Sequence, residues 1–414
     1  MLLERDIERN NRISFSDAFF DVAFFLYMCA NLAHQQVSNA FDGNFRNYSF
    51  YLLLISIVLL FLFNRKLKLY KGTTTLIIFF LYVGLSMLWS TDPSLFNGIS
   101  GQMLRNLILI IGISNRVKSK SDLDRILIIF LYAIIYCVTI LIIRTPITIY
   151  GTKRIGNVLG LNENGLGIRM FFGLSIAIYF INGPLLQSKI KKFSLYILCS
   201  ILIILAFFTG SRKSAFACIF LLSVSLLFTV HKRKLLFRFI TFIALISLIY
   251  YIVFSVDDVY NVLGKRFDML LQYRSGDYSS DSSSYIRSIL AMEAWKVFLQ
   301  HPILGCGANN FVLYNSYGVY SHNNFYEILS TLGSIGFIIY YSYYFQIVIP
   351  LWKNRKKDPQ ISIMLYSVLI FVICEMGLVS YFGSVYQVFL YLVYLFGHLD
   401  NKYVILQKEQ LNEV

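Results

Sequence analysis

Between residues 154 and 336 the chain carries side chains suited to anion binding and proton transfer. Arg212 and Lys213 follow a Thr209-Gly210-Ser211 turn, and Arg287 stands in a polar stretch. Upstream, Arg154-Ile155-Gly156 is followed by Asn162-Glu163-Asn164-Gly165. A guanidinium holds two phosphate oxygens at once through a planar fork, so Arg212 and Arg287 are candidates for binding an anionic leaving group. Trp295, Pro302 and Gly305-x-Gly307 precede His322-Asn323, and Glu327 and Gly333-x-x-Gly336 follow it. An imidazole just ahead of a helix N-terminus and near arginines stays neutral, because both disfavour its charged form. His322 therefore suits a general base that takes a proton from a hydroxyl. These motifs hold no carboxylate cluster of the kind that binds a divalent cation, so neither a metal nor a cofactor is expected.

Each of these residues also has an ordinary use. Arg287 fits a surface helix against anionic headgroups, and Arg212 fits a snorkelling interfacial side chain. His322 fits a polar loop, and Gly305 and Gly307 fit a tight turn. Arg105 and Arg169 fall inside apolar segments, where charge is costly; they should face a polar cavity or pair structurally, with Asp21 as a candidate partner. Asn324, with Glu327 three residues on, has the form of an N-cap and capping box.

The elements that must position these groups follow from composition. Of 414 residues, 57% are hydrophobic and 14% charged, which excludes a water-soluble globular enzyme. Apolar blocks without strand alternation point to an all-α polytopic membrane protein rather than a barrel. About twelve spans of roughly 20 residues are expected, near 18–36, 48–64, 73–90, 98–114, 126–143, 165–182, 194–209, 213–230, 237–254, 325–349, 361–380 and 384–399. Most of the 37 lysines and arginines lie in short clusters between these blocks, as topology signals do, so the charge of +15 does not call for nucleic acid. With both termini cytoplasmic, those clusters fall inside. The remainder, including Arg46, Arg105, Arg154, Arg169, Arg212, Lys213 and Arg287, is not needed for topology. No cleavable signal peptide is expected at the N-terminus, and five of the six cysteines lie in apolar segments, so no disulfide is expected.

Residues 1–414 read as a single membrane domain with one long extracytoplasmic loop over 255–324. A serine-rich turn over 276–284 leads to a short surface helix over 285–299 that stops before Pro302. Ile286, Ile289, Leu290 and Val297 form its apolar stripe, and Arg287 projects beside Ala291 and Ala294.

Three motifs in this order, covering roughly residues 153–336, resemble the O-antigen polymerase and ligase family. Its outer loop carries an arginine, a proline before a glycine-x-glycine turn, and a histidine-asparagine pair opening the next span. Thr209-Gly210-Ser211-Arg212 is similar to a second family element. Arg154-Ile155-Gly156 with Asn162-Glu163-Asn164 is similar to a third, with Glu163 where the family usually has proline.

The resemblance implies a membrane-embedded, C-class glycosyltransferase in the bacterial cytoplasmic membrane, with its active site on the outer face. It would polymerise polyprenyl-diphosphate-linked repeats, such as those on undecaprenyl diphosphate, into O-antigen, capsule or exopolysaccharide. Arg212 and Arg287 would hold the diphosphate and His322 would activate the acceptor. Lys213, Arg154, Asn162, Asn164, Asn323, Glu327 and Arg169 would contribute to substrate binding, and Tyr314 or Tyr320 could stack on sugar. Donor and acceptor lipid-linked glycans, membrane lipid, a chain-length regulator and a flippase are the implied partners. A ligase moving the finished chain to another acceptor is the alternative. A transporter or flippase is a further alternative, although no paired repeats or interrupted helices are evident in the sequence.

Overall fold

Backbone amides in an apolar medium have only each other to bond to, and the apolar blocks meet this demand as long helices. The computed structural model describes residues 14–34, 40–64, 67–156, 159–184, 188–229, 235–275 and 282–412. The basic group Arg5, Arg9 and Arg12 and most of the serine-rich turn lie outside the described residues. Every regular element among the described residues is helical.

The first half runs α1 (Phe15–Ala33), α2 (Ala40–Asn64), α3 (Lys71–Leu85), α4 (Asn97–Arg116), α5 (Lys120–Arg144), α6 (Glu163–Ile181) and α7 (Lys189–Phe208). The second runs α8 (Arg212–Thr229), α9 (Leu235–Ser255), α10 (Lys265–Arg274), α11 (Ser282–Gln300), α12 (Asn324–Asn354), α13 (Pro359–Cys374) and α14 (Ser384–Asn412). Among the described residues nine helical segments are long and apolar enough to span a membrane. The remaining three expected spans fall on α8, α9 and α14. Large apolar side chains such as Leu54, Val58, Leu62 and Phe63 on α2 stay exposed, a surface that suits lipid rather than water.

Helix α6 is buried all round from Gly165 to Ile181, and α14 is buried along most of its first half. A helix apolar on every face belongs at the centre of a bundle. The other spans pack around these two, with α1 against α2 and α5, α7 and α8 against α6, and α13 against α8.

The loop over 255–324 carries its own structure: a π-helical turn at Tyr260–Gly264, then α10 and α11. The expected surface helix is α11, and it packs on α12. Its buried face is Leu290, Ala294 and Val297 against Cys306 and Phe311, so Ala294 belongs to the packed side, not to an open one.

After α11 the chain crosses α12 as a strap of turns over residues 301–309. Helix α12 is broken at Gly333, which sits at φ 65°, ψ −167°. The break frees carbonyls on one side and amides on the other. Cys306 N and Gly307 N donate to Ser330 O and Thr331 O at 2.9 Å each, while Ser334 N donates to Pro302 O at 2.9 Å. The glycines of Gly305-x-Gly307 and Gly333 thus serve this crossing, where a Cβ on Gly305 would collide with the backbone of Thr331 and Leu332.

Two sequence expectations are corrected. The N-cap of α12 is Asn323, not Asn324: the Asn323 side chain accepts from Phe325 N at 3.0 Å and Tyr326 N at 3.3 Å. Glu327 does not complete a capping box but accepts from Ser321 N at 2.7 Å. Asp21 pairs neither with Arg105 nor with Arg169. It takes Arg116 Nε at 2.8 Å and Arg125 Nε at 2.5 Å, because α4 and α5 bring those guanidiniums to α1. All six cysteines are buried free thiols.

Candidate functional site

Described residues of the connections α3–α4, α5–α6, α7–α8, α9–α12 and α13–α14 meet at one end of the bundle. Thr91 Oγ1 lies 2.6 Å from the Tyr314 hydroxyl, Arg154 Nε donates to Thr209 O at 2.8 Å, and Asn323 Nδ2 donates to Met376 O at 3.1 Å. Residues far apart in sequence are thereby brought together.

Arg212 and Lys213 open α8, placed there by the Gly210 turn at φ 62°. A Cβ on Gly210 would press on the Arg154 side chain, so the glycine lets that arginine pass close to the turn. Arg212 is oriented by Nη1 to Arg266 O at 2.7 Å and Nη2 to Ser284 Oγ at 3.1 Å. Lys213 Nζ donates to Gly377 O. Arg154 Nη1 lies 3.5 Å from Glu163 Oε2, and its Nη2 is buried without a hydrogen-bond partner among the described residues. Burial pushes the Arg154 guanidinium below its ordinary range; Glu163 works against this, while Arg287 and Arg212 add to it. Lys213 is likewise within electrostatic reach of Arg287, Arg212 and Arg154.

Glu163 occupies N1 of α6 behind the N-cap Asn162, whose side chain accepts from Asn164 N at 2.9 Å. Proline is favoured at N1, and a carboxylate is favoured near the same positive helix end. The helix therefore starts normally, and this chain gains a carboxylate that faces Arg154.

His322 stands just before the N-cap of α12 at φ 57°, a left-handed conformation rare for a side chain of this size. Its ring lies 4.2 Å from that of Tyr320, centroid to centroid. Burial, then Arg287, then Lys213 hold its pKa down to about 4. The imidazole is therefore neutral at physiological pH, as a proton acceptor must be. Burial also pushes the Tyr320 hydroxyl up.

His322 and Tyr320 border a cavity of about 340 Å³, together with Asn162, Asn164, Arg169 and Arg46. Arg287 and Lys213 lie within electrostatic reach of the histidine, and Arg212 and Arg154 within reach of Lys213; none of the four lines the cavity. Sequence reasoning anticipated Arg169 at a polar cavity, and Arg169 Nη1 also donates to Leu32 O at 2.9 Å. Asn323 and Glu327 do not line this cavity. Asn323 is occupied as the N-cap, and Glu327, only 2% exposed, anchors the 321–323 turn from behind.

Two features went unnoticed in the sequence. Arg46 and Gln102 reach the cavity from α2 and α4. Beneath the 378–383 segment, the Glu375 carboxylate accepts from Tyr344 at 2.7 Å, Tyr341 at 3.3 Å, Asn324 Nδ2 at 3.3 Å and Ser380 Oγ. That network fixes a cavity wall, as Asn324 Oδ1 also accepts from Ser380 N at 2.9 Å. Arg46 carried a signal, being a cation that topology does not require.

Residues 197–341 match the O-Antigen ligase family model. The match supports assignment to the O-antigen polymerase/ligase family. No curated protein matches the chain. The matched segment spans a little over a third of the 414 residues and includes Arg212, Lys213, Arg287 and His322. Arg154, Asn162, Asn164, Arg169 and Arg46 lie outside it.

Proposed function

We propose that this protein polymerises polyprenyl-diphosphate-linked oligosaccharide repeats into cell-surface polysaccharide. The observation that carries the reading is the convergence of Arg154, Arg212, Lys213 and Arg287 around a neutral His322 at the mouth of an uncharged-to-basic cavity. Three guanidiniums and Lys213, with Glu163 facing Arg154, suit a diphosphate.

In the proposed step, the acceptor sugar hydroxyl attacks the anomeric carbon of the donor glycan. The bond from that carbon to the diphosphate oxygen breaks, and the electron pair leaves with the polyprenyl diphosphate. The hydroxyl proton passes to His322. Guanidinium groups stabilise the charge that grows on the departing oxygen, with one donor contributing about 3 kcal/mol. Attack from the opposite face inverts the anomeric centre, and neutralisation by arginine makes the reaction independent of a metal.

The same reading places one domain of twelve spans in the bacterial cytoplasmic membrane, both termini inside, with a C-class glycosyltransferase site on the outer face. A flippase delivers the substrate and a chain-length regulator acts beside the enzyme. The purified protein, reconstituted with a defined lipid-linked repeat in EDTA and without nucleotide sugar, is expected to yield a ladder of longer lipid-linked products. Failure to elongate any such repeat under these conditions would remove the reading.

The description of the matching family as a ligase favours one second reading, transfer of a finished chain to a different acceptor. Glycan analysis of a deletion strain separates the two. Loss of a polymerase leaves single repeats, whereas loss of a ligase leaves long chains on the carrier lipid.

A further inference from the structure

The cavity that His322 borders is lined by Arg46 and Arg169, and among the described residues no carboxylate lines it. Its other polar walls include the amides Asn31, Gln102, Asn162 and Asn164 and the hydroxyls of Ser384 and Tyr386. Arg169 is 5% exposed, and its Nε has no hydrogen-bond partner among the described residues. Arg46, half-buried on α2, lies within electrostatic reach of Arg105 on α4. Arg105 donates to Asn47 Oδ1 at 3.2 Å and rests over the Phe50 ring at 5.1 Å. Beside it Tyr48, Tyr51 and Leu104 are exposed, so the row Arg169, Arg46, Arg105 runs from the cavity to an apolar outer face.

Unpaired guanidiniums within apolar helices are costly, and an acid-free pocket does nothing to offset one cation with another. The arrangement is stabilised when an anion enters. We infer that Arg46 and Arg169 form a second anion subsite, which takes the diphosphate of a second carrier lipid entering between α2 and α4. The amides between that subsite and His322 suit the hydroxyls of the attached sugars. On the polymerase reading, from which the inference takes the acceptor's identity, this lipid is the acceptor. The cluster around Arg212 and Arg287 keeps the donor.

The test is the number of lipid diphosphates bound by the full-length protein in nanodiscs, read by native mass spectrometry and equilibrium titration. The probes are a polyprenyl diphosphate and inorganic diphosphate. The wild type should bind two lipids per chain. Arg46→Gln should weaken one of them by about tenfold or more, the scale of one charge-assisted contact, and Arg46→Lys should retain it. Arg212→Gln should weaken the other and spare the Arg46-dependent one. A single lipid per wild-type chain, or two unweakened sites in Arg46→Gln, overturns the inference. So does an Arg46-dependent site that takes inorganic diphosphate as tightly as the lipid, which would mark a free-anion site. A chain that binds two lipids yet elongates nothing defeats the polymerase reading and leaves the subsite standing. A chain that elongates while holding one lipid does the reverse.

Discussion

Asn323 caps α12 through its own side chain, so the preceding residue must turn sharply away from the helix axis, and His322 does so at φ 57°. Backbone outliers persist where the surroundings over-determine them, here between a capped helix and the Ser321 amide held by Glu327. With the pKa at about 4 against an ordinary 6.5, the folded chain binds fewer protons here than the unfolded chain between those two values. Stability from this group therefore rises with pH across that window and is lost as pH falls through it. Activity should share the acid limb: elongation in proteoliposomes is expected to fall with a midpoint near pH 4. Arg287→Gln removes one cause of the depression and leaves burial, so the midpoint should move upward and remain below 6.5. An unmoved midpoint would separate Arg287 from the histidine. Arg212→Ala is expected to lower kcat by about 10²–10³, the cost of one electrostatic donor. Arg212→Lys should recover only part, because an ammonium lacks the planar fork.

At the scale of elements, hydropathy made the long helices legible, because each needs about 20 apolar residues and no other structure satisfies its backbone in lipid. The break in α12 was not legible, because the expected span runs through Gly333 and an isolated glycine is tolerated inside a helix. Its role depends on the 302–307 strap, which supplies partners to the opened backbone. The N-cap was misplaced by one residue for a related reason: Asn323 and Asn324 are both good caps, and only the buried Glu375 network shows that Asn324 is used elsewhere. Gly305→Ala meets the Thr331 backbone at φ 73° and should destabilise by about 2 kcal/mol. Gly84→Ala in α3, where nothing lies within 4 Å of the new Cβ, should be neutral or stabilising. Thermal unfolding in detergent checks both. Equal melting of Gly305→Ala and the wild type would mean that the strap does not hold α12.

For the whole molecule, several of the cations that the expected topology does not require come together in the fold. Arg154, Arg212, Lys213 and Arg287 converge, and Arg169 and Arg46 line the neighbouring cavity. The convergence itself could not be read in advance, because α2, α6, α8, α11 and α12 meet only after the bundle closes. What the reading now needs is that this end faces outward, a matter of sidedness that labelling decides. Every native cysteine is buried, so a membrane-impermeant maleimide should find little background on the folded chain. Tyr317, 41% exposed, belongs to the end that carries His322, and exposed Lys356 belongs to the opposite end, between α12 and α13. In intact cells Tyr317→Cys should label at once, and Lys356→Cys only after permeabilisation. The reverse pattern would put the histidine and its arginines on the cytosolic side, where exported lipid-linked glycan never arrives.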